Sequence, residues 1–422
     1  MLLEDEFSIF DFVSSLSEAI DLVAPEINNH HKKVAYVSYN IAKEMNLSDE
    51  EKRDIVLASI LHDIGAFTGE ERMRIKLALF DDDSCDQHAI MGYHLLRNFE
   101  PLANAATMIK YHHEHFDKAT DDIPIGSYIL HLADRLSVLF DDQQEILEQI
   151  PRIMADIAQW QHVFHPETLV ALRQVVKKEY FWIEACSFPI NSVLPDRMRF
   201  LKKILDLDTL RDFAKLIAQI IDFRSRFTST HSAGVAAVAS ELTAICEFSE
   251  RECRLMEIAG FLHDLGKLAI PDDVLEKNGA FNHQEFNTMR KHTYYTYVVL
   301  SKIKGFEQAA MWAAYHHERL DGNGYPFHIK GKDFSKLARI MSVADIVTAI
   351  TEDRPYRLGM SSEKAIKILY DMVDNGGIDK GVVEIVKDNF DRINNVRIAA
   401  QQTAAREYND FQNQTAYCRR GV

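Results

Sequence analysis

Apolar positions along this chain recur with the period of a helix, not with the alternation of a strand. Val235, Val238, Leu242 and Ile245 mark one face of a predicted helix starting near His231, with Ala233, Gly234, Ala236 and Ala237 interleaved. Small residues in that setting let a neighbouring helix approach closely. LMEIAGFL before His263 and LARIMSVADIVTAI around Asp345 follow the same period, and FAKLIAQII (213–221) reads as a packed helix. Only 10 prolines and 17 glycines interrupt the 422 residues, and no period-2 stretch is sustained. The pattern predicts an all-α protein.

The pattern is written twice, which predicts two related helical domains. SEAIDLVAPEINNHHKKVA (17–35) parallels KLIAQIIDFRSRFTSTHSAGVA (215–236), and FHPETLVALRQVV (164–176) parallels GIDKGVVEIVKDNF (377–390). CSFPINSVLPD (186–196), with two prolines and an Asn-Ser pair, is the best linker candidate, and RMRFLKKILDLDTLRDFAKL after it reads as one or two connecting helices. The expected layout is a first domain over 1–190, a helical linker over 191–204, a second domain over 205–400 and a polar, frayed tail over 401–422.

Composition narrows the class. At 47% apolar and 27% charged, the chain is an ordinary globular protein long enough for two cores. A net charge of −16 argues against a nucleic-acid polymer or an anionic membrane surface as partner. An anionic small molecule stays open, because a metal site supplies its own positive charge. The five cysteines, Cys85, Cys186, Cys246, Cys253 and Cys418, are scattered and form no CxxC pair, which suits a reducing compartment. The start, MLLEDEFSIF, is acidic and lacks a basic segment before an apolar run. No apolar stretch approaches the roughly 20 residues that cross a bilayer. The expected location is the cytoplasm.

Each copy also carries a ladder of histidines and aspartates. The first reads His30, His62-Asp63, His88, His112-His113, Asp134; the second reads His231, His263-Asp264, His292, His316-His317, Asp345. The first His precedes the His-Asp pair by 32 residues in both copies, and the single His precedes the His-His pair by 24 in both. A lone His-Asp dipeptide signals little, since a core histidine satisfied by a neighbouring carboxylate is commoner. Two copies at matching spacings are another matter, because helix-borne groups converge only when the intervening helices have set lengths. Five imidazoles with two carboxylates point to first-row divalent metals (Fe, Mn, Ni or similar) rather than Mg or Ca. Asp264, beside one histidine and between others in sequence, is the candidate bridge. Two ions about 3.5–4 Å apart share a water and lower its pKa to near neutrality, giving a hydroxide for in-line attack on phosphorus.

Only the second copy adds groups suited to phosphate. HHERLDGNGYPFHIKG (316–331) puts a glycine-rich turn directly after two ladder histidines. Lys267 follows Asp264 in HDLGK, and Arg354 and Arg357 follow Asp345 in TEDRPYRLG. Such residues are commonly solvated, yet beside two metals an ammonium or a guanidinium fork suits a phosphodiester. In the first copy Ala66 stands in place of the lysine, and EHFDKATDDIPIG replaces the loop. The final interval, His113 to Asp134, is 21 residues against 28 from His317 to Asp345. Asp141 and Asp142 follow where the second copy has arginines.

HDLGK, HHERLDGNGYP and ADIVTAITEDRPYR together resemble the HD-GYP family of bacterial cyclic-dinucleotide phosphodiesterases, across roughly residues 205–400. The resemblance implies an all-helical domain with a bi- or trinuclear metal centre. It implies His231, His263, Asp264, His292, His316, His317 and Asp345 as ligands, with Lys267, Arg354 and Arg357 approaching the substrate phosphates and Tyr325 in the substrate loop. Members with a third metal carry Glu four residues before the first ladder histidine; Phe227 stands there, which favours two metals. The first copy resembles the wider HD phosphohydrolase superfamily and looks like a decayed HD-GYP domain. His30, His62, Asp63, His88, His112, His113 and Asp134 form its second candidate site, with room for a further metal pair.

The function expected is hydrolysis of a cyclic dinucleotide, cyclic di-GMP or 3′3′-cyclic GMP-AMP, to a linear product, with Lys267, Asp264 and His263 at the catalytic centre. The alternatives are a hydrolase of another nucleotide phosphoester and a catalytically quiet cyclic-dinucleotide receptor. For the first ladder they are a metal-free relic and an iron-based oxygen or redox sensor. Helix-rich surfaces leave room for a homodimer.

Overall fold

Ser48 and Ser249 begin equivalent helices by the same chemistry. Each hydroxyl accepts from the backbone N–H three residues on, at Glu51 and Glu252, and each glutamate accepts in return from the serine N–H. These reciprocal bonds satisfy amides that a helix start leaves open. The structure is a computed structural model. It describes residues 7–21, 29–66, 71, 86–119, 122–141, 143–186, 204–224, 230–353 and 358–416.

The all-α expectation holds. In chain order the helices are α1 (Ile9–Asp21), α2 (His30–Glu44), α3 (Asp49–Leu61), α4 (Asp86–Leu96), α5 (Ala103–Lys110), α6 (Ile125–Val138), α7 (Ile146–Gln159), α8 (Pro166–Val175) and α9 (Glu179–Cys186). They continue as α10 (Leu207–Arg224), α11 (His231–Ile245), α12 (Glu250–Leu262), α13 (Asp272–Leu275), α14 (His283–Met289), α15 (Lys291–Leu300) and α16 (Glu307–Ala314). The last are α17 (Lys336–Thr351), α18 (Ser362–Asp374), α19 (Lys380–Asp388) and α20 (Phe390–Ala416). Among the described residues the one sheet is a pairing of β1 (Phe7–Ser8) with β2 (Ile204–Leu205), antiparallel, with Phe7 opposite Leu205.

The chain divides into two units, one of Met1–Ser15 with Ile204–Gln412 and the other of Leu16–Lys203 with Asn413–Val422. The N-terminal unit is built on α2, which packs against α3, α6 and α8, while α4 lies along α5. The C-terminal unit repeats this plan: α11 packs against α12 and α17, and α15 against α16. The interleaved small residues of α11 permit that fit, with Val235, Val238 and Leu242 fully buried. Burying each such side chain contributes roughly 1.5–3 kcal/mol.

The observed grouping differs from the expected layout at two places. The first fifteen residues group with the second unit rather than with the first domain. The cause is aromatic: Phe12 packs edge-on against Phe213 at 6.2 Å and Phe306 at 5.5 Å, and Phe7 meets Phe306 at 6.3 Å. Residues 401–416, read from polarity as a tail, continue the long helix α20, and Lys215 at 2.6 Å from Glu407 ties part of it to α10. The expected linker lies outside the described residues except for Ile204. Among the described cysteines, Cys186, Cys246 and Cys253 are free thiols. No described helix is long and apolar enough to cross a membrane.

Candidate metal centres

Helix length explains the matched spacings. His30 and His231 are the first residues of α2 and α11, both 15 residues long. His62 and His263 cap the C-termini of α3 and α12, both 13 residues long. A helical hairpin of set length therefore returns the His-Asp pair to the start of the first helix. The third histidine arrives through a glycine. A Cβ on Gly266 would sit 1.9 Å from the carbonyl oxygen of His292, and on Gly65 it would sit 2.2 Å from that of His88. The glycine of His-Asp-x-Gly is thus the space into which the next ligand helix packs. Gly266→Ala is expected to push α15 outward and lower metal affinity of the C-terminal centre by about ten- to a hundredfold, as loss of supporting contacts does elsewhere. Competition titration against a chelating dye measures it.

All seven second-ladder residues converge. His263, His292 and His316 each place Nδ1 at 2.6–2.7 Å from the backbone carbonyl three residues earlier, those of Gly260, Met289 and Ala313. A carbonyl only accepts, so each Nδ1 carries the proton and each Nε2 presents a lone pair. The Nε2 atoms of His292 and His316 face one another at 3.2 Å. Burial favours the neutral ring, holding His292 down to about 3 and His316 well below the usual histidine range. Two neutral lone pairs at that distance repel unless a cation lies between them, which is the donor set a transition metal takes.

Two donor groups result. His292, His316 and His317 form one, and His231, His263 and Asp264 the other, each with its ligand atoms within 4.8 Å of one another. Asp264 spans them: Oδ1 lies 3.4 Å from His292 Nε2, and Oδ2 lies 3.1 Å from His263 Nε2. Asp345 reaches both as well, with Oδ1 at 3.2 Å from His231 Nε2 and Oδ2 at 3.9 Å from His317 Nδ1. Burial raises the pKa of both carboxyls, but the surrounding histidines outweigh it and hold them well below the usual range. Lys267 Nζ sits 2.6 Å from Asp264 Oδ2. Burial opposes its charge, yet Asp264 raises its pKa, so the centre keeps a fixed cation.

Four contributors were not read from the sequence. Glu352 takes the Nδ1 side of His231 at 3.1 Å and accepts from Gln401 of α20 at 2.9 Å. Burial opposes charge on His231, but Asp345 and Glu352 together push its pKa up to about 10. Glu352 follows Asp345 by seven residues, two helical turns, so that face could have been read. Asp222 is buried on α10, accepts from Ser232 at 3.2 Å, and is pushed by burial up to about 7. Glu318 is buried and its carboxylate accepts from the backbone N–H groups of Phe327, His328 and Ile329, at 2.6, 3.1 and 3.1 Å, stapling the glycine-rich loop. Arg290 places its guanidinium 4.9 Å from the ring centroid of Tyr325.

Tyr325 itself lies 5.1 Å from the ring of His317, whose side chain is a third exposed. Arg354 and Arg357, with Phe227, lie outside the described residues, as does Asp142 of the first copy.

The first ladder converges too. His30 Nε2 is 3.0 Å from Asp134 Oδ1, and Asp63 reaches His62 at 3.3 Å and His88 at 3.3 Å through different oxygens. The Nε2 atom of His88 faces those of His112 and His113 at 3.3 and 3.1 Å. His62 Nε2 and Asp63 Oδ1 are buried and make no well-aligned hydrogen bond; their neighbours at 3.3 Å, Asp63 Oδ2 and His88 Nε2, belong to the same ladder, an arrangement that suits a shared metal. Arg135 donates to Asp134 Oδ2 at 2.7 Å, a buried cation that the second ladder replaces with Ile346.

The HD domain family matches residues 215–382 and, separately, 27–139. The chain is 28% identical to the 3′3′-cGAMP-specific phosphodiesterase 1 of Vibrio cholerae, over 92% of this chain and 93% of that protein. It is 24% identical to phosphodiesterase 3 of the same name and organism, over 87% and 91%. It is 36% identical to the cyclic di-GMP phosphodiesterase response regulator RpfG of Xanthomonas campestris, over 38% of this chain and 43% of that one. The crystal structure of the V. cholerae cyclic GMP-AMP-specific phosphodiesterase V-cGAP3 has the same fold, with a TM-score of 0.62 at 21% identity over 95% of this chain and 98% of that one.

Proposed function

The chain belongs to the HD-domain family, with two HD domains in tandem, and we propose that the C-terminal one hydrolyses a cyclic dinucleotide to its linear form. The observation that carries the proposal is the division of Asp264, one oxygen toward His292 and the other toward His263 and Lys267. A carboxylate so placed would be shared by two ions beside a fixed positive charge. Two first-row divalent ions of the Fe, Mn or Ni type suit these donors; bound there, they lower the pKa of a water to near neutrality and screen phosphate charge.

The chain's own groups supply the rest. Carbonyl-bonded Nδ1 atoms orient the imidazoles, and Glu352 orients His231. Lys267 offers charge where a phosphate oxygen gains it. Tyr325, whose ring lies 4.9 Å from the Arg290 guanidinium and 5.1 Å from the His317 ring, is assigned to a base or ribose of the substrate. Arg354 and Arg357, with Lys267, are assigned to the substrate phosphates.

The preferred substrate in this reading is 3′3′-cyclic GMP-AMP, because the two relatives matched along both domains carry that specificity in their names, whereas RpfG matches one domain's length. Metal-loaded protein incubated with each cyclic dinucleotide is expected to convert the mixed one faster, followed by chromatography of linear products. Faster cyclic di-GMP turnover refutes the preference. Tight binding without turnover, with Mn or reduced Fe present, refutes the enzyme. The N-terminal centre is assigned metal without hydrolysis, since Ala66 replaces the lysine and the loop is missing.

A further inference from the structure

His31 and Ser232 hold the same place in the two domains, the second residue of α2 and of α11. In the C-terminal domain Ser232 turns to Asp222, and Lys267 reaches Asp264 Oδ2 at 2.6 Å. In the N-terminal domain the lysine position is Ala66, and the imidazole of His31 approaches the matching oxygen, with Nε2 at 3.7 Å from Asp63 Oδ2. His31 is 3% exposed, and its ring lies 5.2 Å from that of His62 and 5.6 Å from that of His30. Its ligand atom, with those of His62 and Asp63, falls in a set that lies within 4.8 Å. Two of the atoms in that neighbourhood, His62 Nε2 and Asp63 Oδ1, are buried and make no well-aligned hydrogen bond, their 3.3 Å neighbours being other ladder residues.

We propose that His31 is an eighth metal ligand of the N-terminal centre, taking the position beside Asp63 that the hydrolytic centre gives to Lys267. The exchange has two chemical consequences. It removes the fixed cation that would meet a phosphate oxygen. It also puts a nitrogen donor where a hydrolytic centre needs an exchangeable water, and metal sites filled by protein ligands hold their ion without acting on substrate. The decay of the first ladder is then a conversion: a change at two positions turns an open centre into a more closed one. The proposal rests on the reading that the first ladder takes metal.

The test uses the full chain with the C-terminal ladder disabled by His263→Ala and Asp264→Ala, loaded with Mn(II). Bound Mn is counted by mass spectrometry, its release is followed against EDTA, and exchangeable water is read from water-proton relaxation. Adding His31→Ala is expected to speed release by about tenfold or more, in the range known for weakened metal surroundings, and to raise relaxation per bound Mn as water replaces the ring. His31→Gln, which keeps bulk without the imidazole, is expected to act in the same direction. Unchanged release and relaxation at an unchanged Mn count overturn the role of His31 and leave the metal reading intact. No bound Mn in the parent overturns both. If the His31 variants unfold, the parent is compared with a chain whose first ladder is disabled by His62→Ala and Asp63→Ala. Lower relaxation per Mn at the N-terminal centre is expected, and equal or higher values overturn the proposal.

Discussion

Replacing His263 and Asp264 together by alanine is expected to abolish cyclic-dinucleotide turnover, while replacing His62 and Asp63 leaves hydrolysis in place. The asymmetry follows from what surrounds each pair. Asp264 contacts both donor sets and lies 2.6 Å from Lys267, so its loss removes the carboxylate that would join the two sets and the nearest counter-charge of the lysine. Losing a single electrostatic donor from an active site costs about 10²–10³ in rate, and here an imidazole and the carboxylate between the two donor sets go at once. A drop of at least about a thousandfold is therefore expected. It is to be read as initial rate of linear product alongside metal content per chain. The N-terminal pair has an equivalent geometry, but Ala66 stands at the lysine position and EHFDKATDDIPIG replaces the glycine-rich loop. Loss of turnover in the His62/Asp63 variant, with the His263/Asp264 variant active, would reverse the assignment of the two centres.

Lys267→Ala is expected to lower kcat by roughly a hundredfold with metal content preserved. Its Nζ lies 2.6 Å from Asp264 Oδ2, whose carboxyl is held well below the usual range, and Asp264 in turn raises the pKa of Lys267 against the effect of burial. A cation so placed has two conceivable roles, and the experiment separates them. If Lys267 meets charge that develops on a phosphate oxygen, kcat falls while bound metal and KM change little. If it serves to hold Asp264, metal is lost along with activity, and excess metal restores the rate. The second outcome would move Lys267 from the catalytic groups to the positioning ones.

Much of the site was legible because it is written as intervals along helices. The separation of 32 residues from His231 to His263 is one helix of 15, a turn, and one of 13. The His-Asp-x-Gly pattern marked a turn, though not the reason for it: the near contact of Gly266 with the His292 carbonyl involves a residue 26 positions away. Glu352 was open to the same helical reasoning as Asp345 and was passed over because it caps the helix instead of lying within it. Arg290 and Asp222 gave no such signal. One becomes relevant by stacking on Tyr325, the other by facing His231 from a different helix.

The repeated apolar period and the paired ladders pointed to two helical domains and to the histidines and aspartates that converge in each, since helical rise converts sequence distance directly into position on a face. The same intervals could not show that Phe7 and Phe12 join the second unit, because aromatic packing between distant segments has no period along the chain. Nor could they show how each ladder is completed. Lys267 and His31 stand at different points of the repeat, three residues after one ligand and one residue after another. They approach equivalent carboxylate oxygens because each side chain enters its centre from a different helix end, and convergence of that kind is a property of packing rather than of spacing.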